Sequence, residues 1–71
     1  MTITIYKGNF KDSVILNSKD KRFAREFGTF IRVYNYRLYD TLVEITAWAR
    51  KELNEQCVFE VDYDVNDAEE L

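Results

Sequence analysis

The sequence predicts a single α+β domain: an N-terminal β-hairpin, helix through the middle, and a C-terminal strand that joins the sheet. Three patterns carry this expectation. The chain opens on alternating β-branched residues, "TITIY". Its middle repeats apolar residues every three or four positions, and "CVFEVDYDV" near its end alternates again. A chain of 71 residues makes one domain, spanning 1–71. The last residues, 66–71, are expected to form a frayed acidic tail.

The first strand is placed at about 2–7, with Ile3 and Ile5 on one face. "KGN" follows as a turn, since Gly8 and Asn9 tolerate positive φ. The apolar run "SVILN", 13–17, closes the hairpin, although a run so short also fits a helical turn. Ser18 or Asp20 then offers an oxygen to the free N–H groups of a new helix.

From there the period changes. Phe23, Phe27, Phe30 or Ile31, Tyr34, Leu38, Leu42, Ile45, Ala49 and Leu53 form one helical stripe, which places helix over about 20–54. Unbroken, it would be a rod of about 50 Å, too long for a domain with a radius of gyration near 11 Å. Gly28 and the "YNY" at Tyr34–Tyr36 are the two candidate breaks, and two consecutive helices, about 20–34 and 36–54, are the favoured form. The β-branched and aromatic content of "TFIRVYNYRLY" supports a rival strand there. Helix is preferred because the stripe continues in phase through "DTLVEITAWARKEL", with Arg50 and Lys51 at the end where the helix dipole favours cations. "NEQ" ends the helix. In the closing strand, 57–65, Cys57, Phe59, Val61, Tyr63 and Val65 face one side. Val58, Glu60, Asp62 and Asp64 face the other.

So short a chain has a marginal core unless something supplements it. Cys57 is the only cysteine, so an internal disulfide is excluded. It reads as a small buried hydrophobe, since no basic neighbourhood in the sequence would activate it. There is no histidine, so a Cys/His zinc site cannot be assembled within the chain. A partner, or a second copy of the chain in a homodimer, is the remaining supplement. Trp48 lies off the main stripe and is the candidate anchor for self-association, its alternative being a second core contact. Apolar residues at 46% and aromatics at 15% are too rich for disorder. No signal peptide or membrane span is legible, so a cytoplasmic protein is expected.

Catalysis is not expected. The commonest general base is missing. Two glycines cannot build a glycine-rich phosphate cradle. No cofactor or metal is expected either. "DYDVND" places Asp62, Asp64 and Asn66 as in a calcium loop, but Asp67 stands where glycine is required.

Charge is strongly divided. Residues 1–51 hold all ten Lys and Arg with five acids, a net of +5. Residues 52–71 hold eight acids and no base, a net of −8, and together these give the overall −3. A final strand with one face on a core needs a polar outer face, and charge there also discourages edge-to-edge aggregation. That bland reading explains polarity but not a single sign. The sharper reading is a recognition surface of Glu60, Asp62, Asp64, Asp67, Glu69 and Glu70. Side chains two apart on a strand lie about 6.6 Å apart, close to the spacing of successive phosphates. Such a row can mimic nucleic acid and occupy a basic site on a nucleic-acid-binding host enzyme or complex.

The alternative is direct nucleic-acid binding by the basic and aromatic segment 19–39, through Lys21, Arg22, Arg25, Arg32 and Arg37. An isoelectric point near 4.8 argues against it. A small dimeric structural protein is the third class.

In size, acidity and want of enzymatic signatures the chain resembles the small acidic inhibitors of phages and mobile elements, such as anti-CRISPR and anti-restriction proteins. The resemblance rests on no individual residue. It implies a non-enzymatic inhibitor that acts by steric and electrostatic block.

Overall fold

The structure is a computed structural model that describes residues 1–62. It has four strands and two helices: β1 (Thr2–Tyr6), β2 (Ser13–Asn17), α1 (Lys21–Phe27), β3 (Phe30–Tyr34), α2 (Leu38–Trp48) and β4 (Val58–Asp62). A 3₁₀ turn, Asn35–Arg37, leads into α2, and a π-helical stretch, Ala49–Leu53, prolongs it. The fold class is α+β, with the predicted hairpin at one end and the predicted C-terminal strand joining the sheet at the other.

The strands form one mixed sheet in the order β3-β2-β1-β4. β2 pairs antiparallel with both β1 and β3, whereas β4 runs parallel to β1. A parallel neighbour cannot be reached by a tight turn, so the chain crosses over by a helix. Here α2 carries it from the β3 edge to the β4 edge. Two further hydrogen bonds extend the β1–β4 pairing, from the Val58 N–H to the Met1 carbonyl (2.8 Å) and from the Lys7 N–H to the Asp62 carbonyl (3.1 Å).

One face of the sheet is apolar and covered by both helices. Ile3, Ile5, Val14, Leu16 and Val33 meet Phe23 of α1 and Ile45 of α2 in one buried cluster. Phe27, Ile31, Leu38, Leu42, Trp48, Cys57 and Phe59 pack around it, half-buried. Val61 points to the same face but lies 53% exposed at the β4 edge, beyond the cover of the helices. The helices form a single layer, so the other face of the sheet is open.

The helix ends follow the local chemistry. Asp20 caps α1, its Oδ1 accepting from the Arg22 N–H at 2.8 Å. Ser18 serves the same corner differently. Its hydroxyl donates to the Thr2 carbonyl and accepts from the Asp20 N–H, which ties the cap to β1. Gly28 ends α1 at φ 103°, ψ 161°, and its N–H returns to the Ala24 carbonyl. Asn54 ends the second helical segment in the left-handed conformation, as Asn does readily.

The middle of the chain corrects the expectation of two consecutive helices. Helix is present over 21–27 and over 35–53, but residues 30–34 between them form β3, the rival reading. Ile31 and Val33 face the core while Phe30, Arg32 and Tyr34 face out. Once Gly28 has stopped α1, a β-branched and aromatic segment meets the free edge of β2, and pairing there satisfies backbone groups that a longer helix would have satisfied internally. Phe30 and Tyr34 therefore leave the core stripe for solvent. The expected strand over 63–65 and the tail over 66–71 lie outside the described residues. Among the described residues no helix is long and apolar enough to cross a membrane.

Candidate functional site: the open face of the sheet

The strand register builds the open face row by row. One row across β3, β2, β1 and β4 reads Arg32, Ile15, Tyr6, Asp62. The next, about 6.6 Å along the strands, reads Phe30, Asn17, Thr4, Glu60. The Ser13–Tyr34 pair lies above them and the Thr2–Val58 pair below. The β3 edge is thus cationic and aromatic and the β4 edge acidic, with Ile15, Tyr6, Asn17 and Thr4 between. Side chains on the two edge strands of one row are about 14 Å apart at strand spacing, too far for Arg32 and Asp62 to pair within one copy.

Both edges are well exposed. Phe30 is 65% accessible, and Tyr34, 53% accessible, stacks on Tyr36 with ring centres 5.8 Å apart. Between Phe30 and the β1–β2 loop lies an apolar hollow of about 340 Å³, lined by Tyr6, Gly8, Phe10, Ile15 and Phe30. A second, polar hollow of about 470 Å³ is lined by Thr2, Thr4, Tyr6, Asn17, Lys19 and Glu60, among others.

Glu60 and Asp62 stand where the alternation of the strand placed them, exposed on the open face of an edge strand. Neither makes an ion pair among the described residues. Other acids are committed. Asp20 and Glu55 both hold Arg22, whose guanidinium bridges the start of α1 to the loop before β4. The hydrogen bonds from Arg22 hold the Asp20 carboxyl at about 2 and also lower that of Glu55. Asp64, Asp67, Glu69 and Glu70 lie outside the described residues.

The basic set predicted for nucleic acid does not converge. Arg32 is on the open face, whereas Lys21 and Arg25 are exposed on α1, which covers the opposite face. Arg22 is bound to Asp20 and Glu55, and Arg37 lies 3.8 Å from Asp40. Trp48 packs edge-on against Phe27, with centroids 5.0 Å apart at 86°. That contact fixes α2 on α1 at the core rim. A second exposed apolar strip runs along the outside of α2, through Tyr39, Val43 and Ala47 to Arg50.

The residues that sequence reasoning passed over are Tyr6, Phe10, Ile15 and Asn17. The alternation of β1 already set Thr2, Thr4 and Tyr6 opposite Ile3 and Ile5. It did not reveal that the other helix layer would be missing. Cys57 is half-buried, and burial pushes its thiol pKa up, which suits an inert side chain. Among the described residues no three His, Cys, Asp or Glu side chains converge to hold a metal ion. Comparison with protein families, with curated proteins and with solved structures finds no match.

Proposed function

We propose that the protein is a non-enzymatic binding module that blocks a basic site on a protein partner, with the open sheet face as its contact surface. One observation supports this reading above others: Glu60 and Asp62 share the open face of an edge strand, exposed and without a cationic partner among the described residues. Elsewhere in the same chain Asp20 and Glu55 are held by Arg22. Free carboxylates at phosphate-like spacing suit a site lined by Lys and Arg, and opposite fields speed the encounter. The partner class is then a nucleic-acid-binding enzyme or complex, and the mode of action that of the small acidic inhibitors of phages and mobile elements.

The test compares wild type with the Glu60→Lys, Asp62→Lys double variant. Immobilised wild type should retain a nucleic-acid-binding protein from host lysate, and adding the wild type in solution should prevent that protein from binding its nucleic acid. The double variant should fold as the wild type does, since both side chains are exposed. It should lose affinity by about tenfold or more, as charges meeting a basic site do when removed. Equal block by both proteins would remove the acidic edge from the function.

A second reading has its own support. Phe30 and Tyr34 flank Arg32 on an open sheet face, and aromatic side chains beside cations on such a face are what single-stranded nucleic-acid platforms use. It requires salt-sensitive binding of a labelled single strand that weakens when Phe30 and Arg32 are both changed to Ala. No binding at low salt removes it.

A further inference from the structure

The layout of the open face carries an inference that does not depend on the function proposed above. We infer that this face is self-complementary and forms a face-to-face homodimer about a two-fold axis parallel to the strands.

A two-fold axis between two stacked sheets can lie along the strands or across them. Across the strands, it would set β3 on β3 and β4 on β4, so that the acidic edges meet and Arg32 has no carboxylate opposite it. Along the strands, it reverses the strand order of the second copy, so β3 faces β4 of the partner and β2 faces β1. The register then fixes the contacts. Arg32 of each copy faces Asp62 of the other, and Ile15 faces Tyr6, twice over around the axis. In the next row Asn17 faces Thr4, two side chains that can hydrogen-bond, and Phe30 lies over the stem of Glu60. Isologous contacts of this kind are what dimer symmetry requires. Aligned sheets pack about 10 Å apart at about 30° to one another. A rotation of that size moves the edge residues by only a few ångströms, within the reach of an arginine.

The apolar centre has a counterpart on the molecule. Tyr6 and Ile15 line the hollow with Phe10 and Phe30, and the partner's copies of these side chains would close over it. The contact is small. Four strands about 4.8 Å apart and five residues of about 3.3 Å each give a footprint of roughly 300 Å² per copy, against about 800 Å² in a standard stable interface. The dimer is therefore weak, with a dissociation constant in the high-micromolar range, and salt-sensitive because its six charged groups, Arg32, Glu60 and Asp62 of each copy, lie at the rim. Dimer formation covers Glu60 and Asp62, so a dimer and a partner-bound monomer exclude one another.

The test is sedimentation equilibrium at low salt on wild type, Arg32→Glu and Asp62→Arg. Each single variant sets like charges opposite each other at both ends of the interface and should weaken self-association by about tenfold or more. Mixed together, the two variants should form a one-to-one heterodimer, because Glu at 32 then faces Arg at 62 and the native Asp62 faces the native Arg32. Circular dichroism checks that each variant is folded, and the exposed positions lead us to expect it. A wild type that stays monomeric to high-micromolar concentration overturns the inference. So does a dimer that both variants leave intact, as an edge-to-edge β4 contact would, and so does one abolished only by Val43→Glu on the outside of α2. Failure of the mixed variants to associate overturns it as well.

Discussion

Gly28→Ala separates by its sign the two ways of reading residues 21–34. Gly28 sits at φ 103°, ψ 161°, a region nearly closed to residues with a Cβ, where occupancy costs about 1–3 kcal/mol. No collision adds to that strain, because an added Cβ would meet only the Ile31 Cγ2 at 3.5 Å, an ordinary contact. Alanine also narrows the unfolded ensemble, which returns about 0.4–1 kcal/mol. The net loss is about 1–2 kcal/mol. A domain of this size shifts its Tm by about 4–8 °C per kcal/mol, so the melt should fall by about 5–15 °C. If the segment were instead one helix from Lys21 to Tyr34, alanine for an interior glycine would stabilise it by up to about 1 kcal/mol and raise the Tm. Thermal melts followed by circular dichroism, with urea unfolding to check that the m-value is unchanged, read the difference. A Tm equal to or above that of wild type would refute the helix–turn–strand arrangement.

Further outcomes follow from the core, the ion-pair cluster and the thiol. Phe23→Ala, at a fully buried ring 5.1 Å from that of Phe27, should cost about 3–5 kcal/mol. That is much of the stability available to a domain of this size, at about 0.05–0.15 kcal/mol per residue, so urea should unfold the variant at far lower concentration. A loss below about 1 kcal/mol would place Phe23 outside the core. The Asp20 carboxyl is lowered to about 2 in the folded chain by its hydrogen bonds from Arg22. Its contribution is therefore complete above the ordinary carboxylate range and lost as pH falls towards 2. Arg22→Ala should lower the Tm at neutral pH and flatten its fall between about pH 4 and pH 2. An unchanged acid limb in the variant would show that Arg22 does not set that titration. The Cys57 thiol, with its pKa raised by burial, holds less thiolate at mildly alkaline pH. It should react with a thiol reagent more slowly in the folded protein than in urea, and equal rates would place it in solvent.

Much of the fold was legible because it depends on short-range chemistry. The alternation of "TITIY" and "VFEVD" defines strands with one apolar face. Asp20 is a cap wherever a helix starts beside it. "LYDTLVEITAW" holds enough turns in phase for its period to be unambiguous. Glu60 and Asp62 were legible for the same reason, as the polar side of a strand whose other side carries Phe59 and Val61.

What the sequence by itself determined about this protein was which faces of β1, β2 and β4 are apolar, where the first helix begins and the second ends, and that charge is divided along the chain. Only the tertiary structure decided the state of residues 30–34. Five residues fit a period of two and a period of 3.6 almost equally, and the free edge of β2 settled the matter by pairing with them. That one pairing moved Phe30, Arg32 and Tyr34 from an expected helix to the open face. The parallel pairing of β4 with β1 set Glu60 and Asp62 at the other end of that same face. Arg32 of the basic segment and Glu60 and Asp62 of the acidic one, which the sequence presents as rivals, therefore share one surface. Register between segments tens of residues apart fixes that surface, and no local pattern encodes it.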